Sequence, residues 1–283
     1  MAEIIKGVDV ANAMRSVMID EIKKHNLKPT LAVVRVGENP SDLSYEKGLL
    51  KQADAVGINV KKVVLDINIS QEEFEKEFAL VNDDPEVHGI LLFRPLPPQL
   101  NEEPIAAMIN PEKDMDCMSP INWAKLAMGD SSGYAPCTPE AVIQICDYLK
   151  VDYQGKNVVI VGHSNVVGRP LGYLMIARDA TVTWCHVYTK DAISKCKEVD
   201  ILVSAAGVPG LIKKAHVENA GKECIVIDVG INFVDGKMCG DVAFEEVEPL
   251  VDKITPVPGG VGGVTSVVLM NHVVRAAKKA SEK

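Results

Sequence analysis

Hydrophobic residues in this chain fall into short unbroken runs, separated by longer stretches in which they recur every three or four positions. The runs cover residues 31–36, 60–65, 89–93, 158–161, 181–185, 201–204 and 225–229. Continuous apolar runs of this length predict strands buried on both faces. The stretches between them, such as 40–56, 71–81 and 139–149, carry the helical period. Alternation of the two predicts parallel βαβ units with helices on both faces, an α/β fold. Three strands precede residues 136–139 and the rest follow, so a boundary is expected there, bridged by a helix over 138–150. The expected organisation is a first lobe over 1–138 and a second over 139–263. A last amphipathic segment, 264–283, would pack back on the first lobe after the glycine-rich run 258–263.

Composition narrows the class. Of 283 residues, 47% are hydrophobic and 24% charged, which is ordinary globular usage, but only 5% are aromatic, so the core must be aliphatic. A net charge of −9 argues against a nucleic-acid groove, which needs clustered cations. The first residues have acids where a secretory signal needs a basic head, and no apolar run reaches membrane-spanning length. Seven dispersed cysteines without a C-x-x-C pair read as reduced thiols, so a cytoplasmic protein is expected. The six histidines lack metal-ligand spacing, and no metal site is expected.

The segment 157–175, around VVIVGHSNVVGRPLG, reads strand, tight turn, helix. Gly162 permits close backbone approach, Ser164 and Asn165 can cap a helix or bind phosphate, and Gly168 lets the helix approach the sheet. Backbone amides and dipole at such a helix start attract a pyrophosphate. The pattern is G-x-S-x-x-x-G rather than G-x-G-x-x-G, and the next strand ends without the usual ribose-binding acid. Taken alone, the loop fits an ordinary glycine turn as well as a dinucleotide site.

Other segments decide between these. PSDLSY, GILLFRPLP, PEKDMD, APCTP, VGHSNVVGRP, VIDVGIN, GDV and TPVPGGVGGVT occur in this order along the whole chain. In this the chain resembles the bacterial methylenetetrahydrofolate dehydrogenase/cyclohydrolase family. The resemblance implies an N-terminal substrate lobe, a C-terminal Rossmann-type cofactor lobe, a cleft between them and a homodimer. It also implies two reactions: oxidation of methylene- to methenyltetrahydrofolate, then hydration of the product to formyltetrahydrofolate.

Carried over position by position, Tyr45 matches the Tyr of the family's Y-x-x-x-K helix, but the Lys position holds Leu49. Lys47 and Lys51 fall far round the helix. The Gln of the family's Q-L-P-L-P turn is Phe93. Hydride transfer needs mainly alignment, whereas hydration needs a water activated by a polar group. The matched loss predicts a dehydrogenase with absent or very weak cyclohydrolase activity; the plainer alternative is that Leu49 and Phe93 simply pack. Asp116 matches the Asp that holds the pterin, and Tyr45 and Asp116 are the expected catalytic residues. The family's Gly-Phe after this Asp is Cys117-Met118 here. Pro258, Gly259 and Gly260 match the run that approaches folate and nicotinamide.

The expected cofactor contacts are Gly162, His163, Ser164, Asn165, Gly168, Val187, Gly207 and Gly230. Many NADP-using relatives have Arg and Ser where this chain has His163 and Val187, which favours NAD, with NADP as the alternative. Two competing readings stand beside the monofunctional one. One is a bifunctional NADP enzyme with a rearranged base. The other is a non-catalytic dinucleotide sensor, against which the joint survival of Tyr45, Asp116 and the PGGVG run argues.

Overall fold

A computed structural model describes residues 1–282. In chain order the elements are β1 (Glu3–Ile4), α1 (Gly7–Lys24), β2 (Thr30–Val36), α2 (Pro40–Val56), β3 (Asn59–Leu65), α3 (Gln71–Asp83), β4 (Gly89–Leu92), α4 (Glu102–Met108), α5 (Pro120–Ala127) and α6 (Cys137–Tyr148). Then follow β5 (Asn157–Val161), α7 (Gly168–Ile176), β6 (Thr181–Cys185), α8 (Ala192–Lys195), β7 (Ile201–Ser204), α9 (Lys214–Val217), β8 (Ile225–Asp228), β9 (Asn232–Val234), β10 (Lys237–Cys239), α10 (Phe244–Val247), β11 (Lys253–Ile254) and α11 (Gly262–Ser281). All seven apolar runs form strands, within one residue of the predicted ends. The chain divides into two compact units: Met1–Asn12 with Thr138–Thr265, and Ala13–Cys137 with the segment from Ser266 onward.

The unit that contains Ala13–Cys137 has a three-stranded sheet in the order β3-β2-β4, all parallel. Central β2 is buried along nearly its whole length, as an unbroken apolar run requires. Strand β3 departs from the two-face burial its sequence suggested. It lies at the sheet edge, mostly exposed, with Lys61 and Lys62 on it, charges that discourage edge-to-edge pairing. Beside the sheet lies a core containing Val34, Val81, Ile90 and Ile105. Few aromatic residues are available, and Phe74 stacks on Phe78 there, with centroids 5.8 Å apart. Helix α2 starts under an Asn39 cap and stops at left-handed Gly57. Helix α3 starts with a reciprocal Ser70–Glu73 capping box.

The other unit has a six-stranded parallel sheet in the order β1-β11-β8-β7-β5-β6. Its first long strand, β5, is flanked by β6 on one side and β7 on the other, so chain progression reverses direction between β5 and β7. Ligands of open α/β sheets bind outside the carboxyl ends of strands at such a switch point. Residues Met1–Asn12 are grouped here because β1 pairs with β11 through Glu3–Lys253 and Ile4–Ile254. Strands β9 and β10 form a separate antiparallel hairpin. All seven cysteines are free thiols; six are buried, and Cys239 on β10 is partly exposed.

Candidate functional site

Three loops of the six-stranded unit leave the carboxyl ends of β5, β7 and β8. Gly162, directly after β5, has φ +120°, and a side chain there would collide with the Ala205 carbonyl oxygen at 2.2 Å. A Cβ on Gly168 would come 2.0 Å from the Gly162 carbonyl oxygen. Only glycine at these two positions lets the loops close at the switch point. Ser164 shapes the turn between them: its hydroxyl accepts the Val167 N–H at 3.1 Å and its carbonyl the Arg169 N–H at 3.1 Å. Asn165 accepts from the Arg169 guanidinium at 3.0 Å. Helix α7 is pinned to β6 by Trp184, whose indole N–H donates to the Gly168 carbonyl at 2.8 Å. At the ends of β5 and β6 the rings of His163 and His186 stack with centroids 4.6 Å apart. Val187 is 89% exposed beside them.

Two aspartates that sequence reasoning left without a role organise the neighbouring loops. Fully buried Asp241 accepts hydrogen bonds from the Ser204 hydroxyl, the backbone N–H groups of Ala206, Gly207 and Val208, and the Asn232 amide, at 2.7–3.1 Å. Asp228 accepts the N–H groups of Gly230, Asp241 and Val242. Burial pushes the Asp228 carboxyl above the usual range, against the pull of these three donors. Gly230 has a packing reason, since a Cβ there would strike the Asp241 carboxylate at 2.2 Å. Gly207 borders open space, with nothing within 4 Å of an added Cβ. A glycine-lined turn at a switch point, a nine-residue helix starting behind it, and open space at Gly207 fit the pyrophosphate of a dinucleotide.

Residues Pro258, Gly259 and Gly260 lie just before α11, with the Val257–Pro258 peptide bond cis and Gly259 at φ +105°. The Gly259 carbonyl accepts the Gly7 N–H at 2.8 Å, which ties this run to the start of α1.

The remaining predicted residues lie in the other unit. Tyr45, on α2, packs its ring against Phe93, which follows β4, with centroids 5.5 Å apart. Leu49, one helical turn on from Tyr45, is 1% exposed and Phe93 is 8% exposed, while Lys47 and Lys51 lie on the exposed surface of α2. Partial burial of the Tyr45 phenol, then the nearby Cys137 and Asp116, push its pKa well above the ordinary 10.0. The Asp116 carboxylate accepts the Cys137 N–H at 2.8 Å and lies 4.0 Å from the Arg94 guanidinium. Its loop is anchored by buried Asp114, which accepts the N–H groups of Met118 and Ser119 and the Asn122 amide. Burial raises the Asp114 carboxyl above its usual range. Cys117, at φ +56°, adopts the left-handed conformation that explains a glycine at this position in the family pattern. Among the described residues no three His, Cys, Asp or Glu side chains gather as a metal-binding group, and no helix is long and apolar enough to cross a membrane.

Comparison with known proteins identifies the family. Residues 5–116 match the family model "Tetrahydrofolate dehydrogenase/cyclohydrolase, catalytic domain", and residues 136–281 match its NAD(P)-binding domain. The chain is 47% identical over 283 residues, covering 99% of each chain, to the bifunctional protein FolD of Alkaliphilus metalliredigens. It superposes with a TM-score of 0.93 at 36% identity, over 99% of each chain, on the crystal structure of a bifunctional methylenetetrahydrofolate dehydrogenase/cyclohydrolase from Campylobacter jejuni. The Trypanosoma brucei dehydrogenase-cyclohydrolase, solved with NADP and an inhibitor, gives a TM-score of 0.89 at 32% identity, over 100% of this chain and 99% of that one.

Proposed function

Since the chain belongs to the tetrahydrofolate dehydrogenase/cyclohydrolase family and is an oxidoreductase with a nicotinamide-dinucleotide domain, we propose that it oxidises 5,10-methylenetetrahydrofolate with NAD in preference to NADP, and hydrates the product weakly or not at all. The bound nicotinamide supplies the acceptor for a hydride leaving the methylene carbon. The cation left behind is already stabilised by its nitrogens, so the chain's task is alignment. On this reading Asp116 accepts from the aminopyrimidine edge of the pterin. Tyr45 orients the substrate through a hydroxyl that stays protonated, so it can hydrogen-bond but cannot act as a base near neutral pH. Gly162, Ser164, Asn165, Gly168 and Gly207 hold the dinucleotide phosphates, and the run Pro258–Gly259–Gly260 offers backbone to the bound ligands.

The observation that carries the monofunctional reading is the burial of Leu49 and Phe93 around Tyr45, where the family pattern has Lys and Gln. Hydration requires a polar group to activate water, and an apolar pair cannot do so. The bifunctional reading draws support from the name of the Alkaliphilus relative. The test is to supply methenyltetrahydrofolate without nucleotide and follow its absorbance. Loss at the uncatalysed rate is expected, and loss at a rate comparable with dehydrogenase turnover overturns the reading. The NAD preference rests on His163 and on Val187, whose side chain offers a 2′-phosphate no donor. Comparison of kcat/KM for the two nucleotides tests it, and a clear advantage for NADP refutes it.

A further inference from the structure

Helix α11 buries an aliphatic face that includes Val268, Leu269, Val273 and Ala277, and in the middle of that face stands His272, 0% exposed. An imidazole withdrawn from water is costly unless its polar atoms find partners, and a leucine would fill such a place without that cost. Nδ1 of His272 lies 2.8 Å from the carbonyl oxygen of Met115. A carbonyl only accepts, so Nδ1 carries the proton and donates it. The same carbonyl accepts the Cys137 thiol at 3.3 Å. The imidazole orientation is held by Tyr134, whose ring centroid lies 5.2 Å away, with the Arg275 guanidinium 5.1 Å from that same tyrosine ring.

Met115 immediately precedes Asp116, and Cys137 gives its thiol to the Met115 carbonyl and its backbone N–H to the Asp116 carboxylate. His272 therefore fixes the peptide unit from which Asp116 projects. We propose that His272 is a positioning residue for substrate binding: its Nδ1–H clamps the Met115 carbonyl and so aims the Asp116 carboxylate. This rests on the reading of Asp116 as the group that holds the pterin edge.

Two substitutions separate positioning from packing. His272→Asn keeps an N–H donor close to the Nδ1 position, whereas His272→Gln carries its amide one carbon further and loses the contact. With the full-length protein, His272→Gln is expected to raise the folate KM roughly tenfold, the scale set by a small misplacement of a binding group. His272→Asn should restore it to within about twofold of wild type, and neither should move the nucleotide KM. Equal folate KM values in the two variants, or parallel loss of folate and nucleotide binding, overturn the proposal. Asp116→Ala is measured alongside. If it leaves the folate KM unchanged, the reading of Asp116 itself fails; if it raises that KM while the two His272 variants remain alike, only the role of His272 fails.

Discussion

A carboxylate does different work according to what surrounds it, and four acids of this chain illustrate the range. Asp116 accepts one backbone N–H and keeps a partly exposed face, so it retains capacity for a ligand. Asp116→Ala should raise the folate KM while leaving the nucleotide KM unchanged, as steady-state kinetics with each substrate varied would show. Asp228 and Asp241 spend their acceptor capacity inside the protein. Their roles were illegible in the sequence because the donors come from residues 204–208, 230–232 and 241–242, which only the fold brings together. The fourth acid, Glu46, is buried next to Tyr45 and bonded to Lys62 at 2.7 Å and Arg35 at 2.8 Å. Lys62 first and Arg35 second hold its carboxyl below the ordinary value of 4.5. A carboxyl whose folded pKa is depressed contributes stability that is complete above the unfolded value and is lost as pH falls through the folded one. Glu46→Gln should therefore lower stability at neutral pH and flatten its decline from roughly pH 5 to pH 3, as urea unfolding across that range would show. Tyr45 and Asp116 could be singled out as candidates from the sequence alone, because local motifs of the family carry them.

Among the elements, legibility followed length. The seven apolar strands stand out because each is at least four residues long and mostly apolar, whether it is central, as β2, β5, β7 and β8 are, or at a sheet edge, as β3, β4 and β6 are. Strands β1 and β11 have two residues each, too few for any period, and exist because they pair with each other and with β8. The β9–β10 hairpin turns on Asp235 and Gly236, both at positive φ, a pair that the sequence displays and that favours a two-residue turn. The loops after β7 and β8 have no pattern of their own, since Asp241 supplies the order. Asp241→Ala would strip the acceptor from five donors at once. It should destabilise the fold by about 3 kcal/mol, the scale of a broken buried network. In the fraction that remains folded, the nucleotide KM should rise more than the folate KM; denaturation and kinetics on the same preparation test both.

At the scale of the whole molecule, each unit carries a parallel sheet, and residues singled out as candidates lie beyond the carboxyl ends of its strands. Phe93 follows β4, Gly162 follows β5, and the Asp241-ordered loop follows β7. The α/β class was legible because continuous apolar runs alternate with amphipathic helices along the whole chain. The grouping of Met1–Asn12 with the later segment was not, because the partner of β1 lies some 250 residues away in β11. Burial of the thiols has a practical consequence for the folded protein. Desolvation pushes Cys146, Cys196 and Cys224 each up to about 12, which leaves almost no thiolate at neutral pH. Cys239, partly exposed on its hairpin, is the one thiol a maleimide can reach without opening a core. Native mass spectrometry after brief alkylation should show a single adduct per chain, and seven once the protein is unfolded; further adducts on the native protein would count against this packing. A chain with seven cysteines would then take one fluorophore at a known position with no mutation.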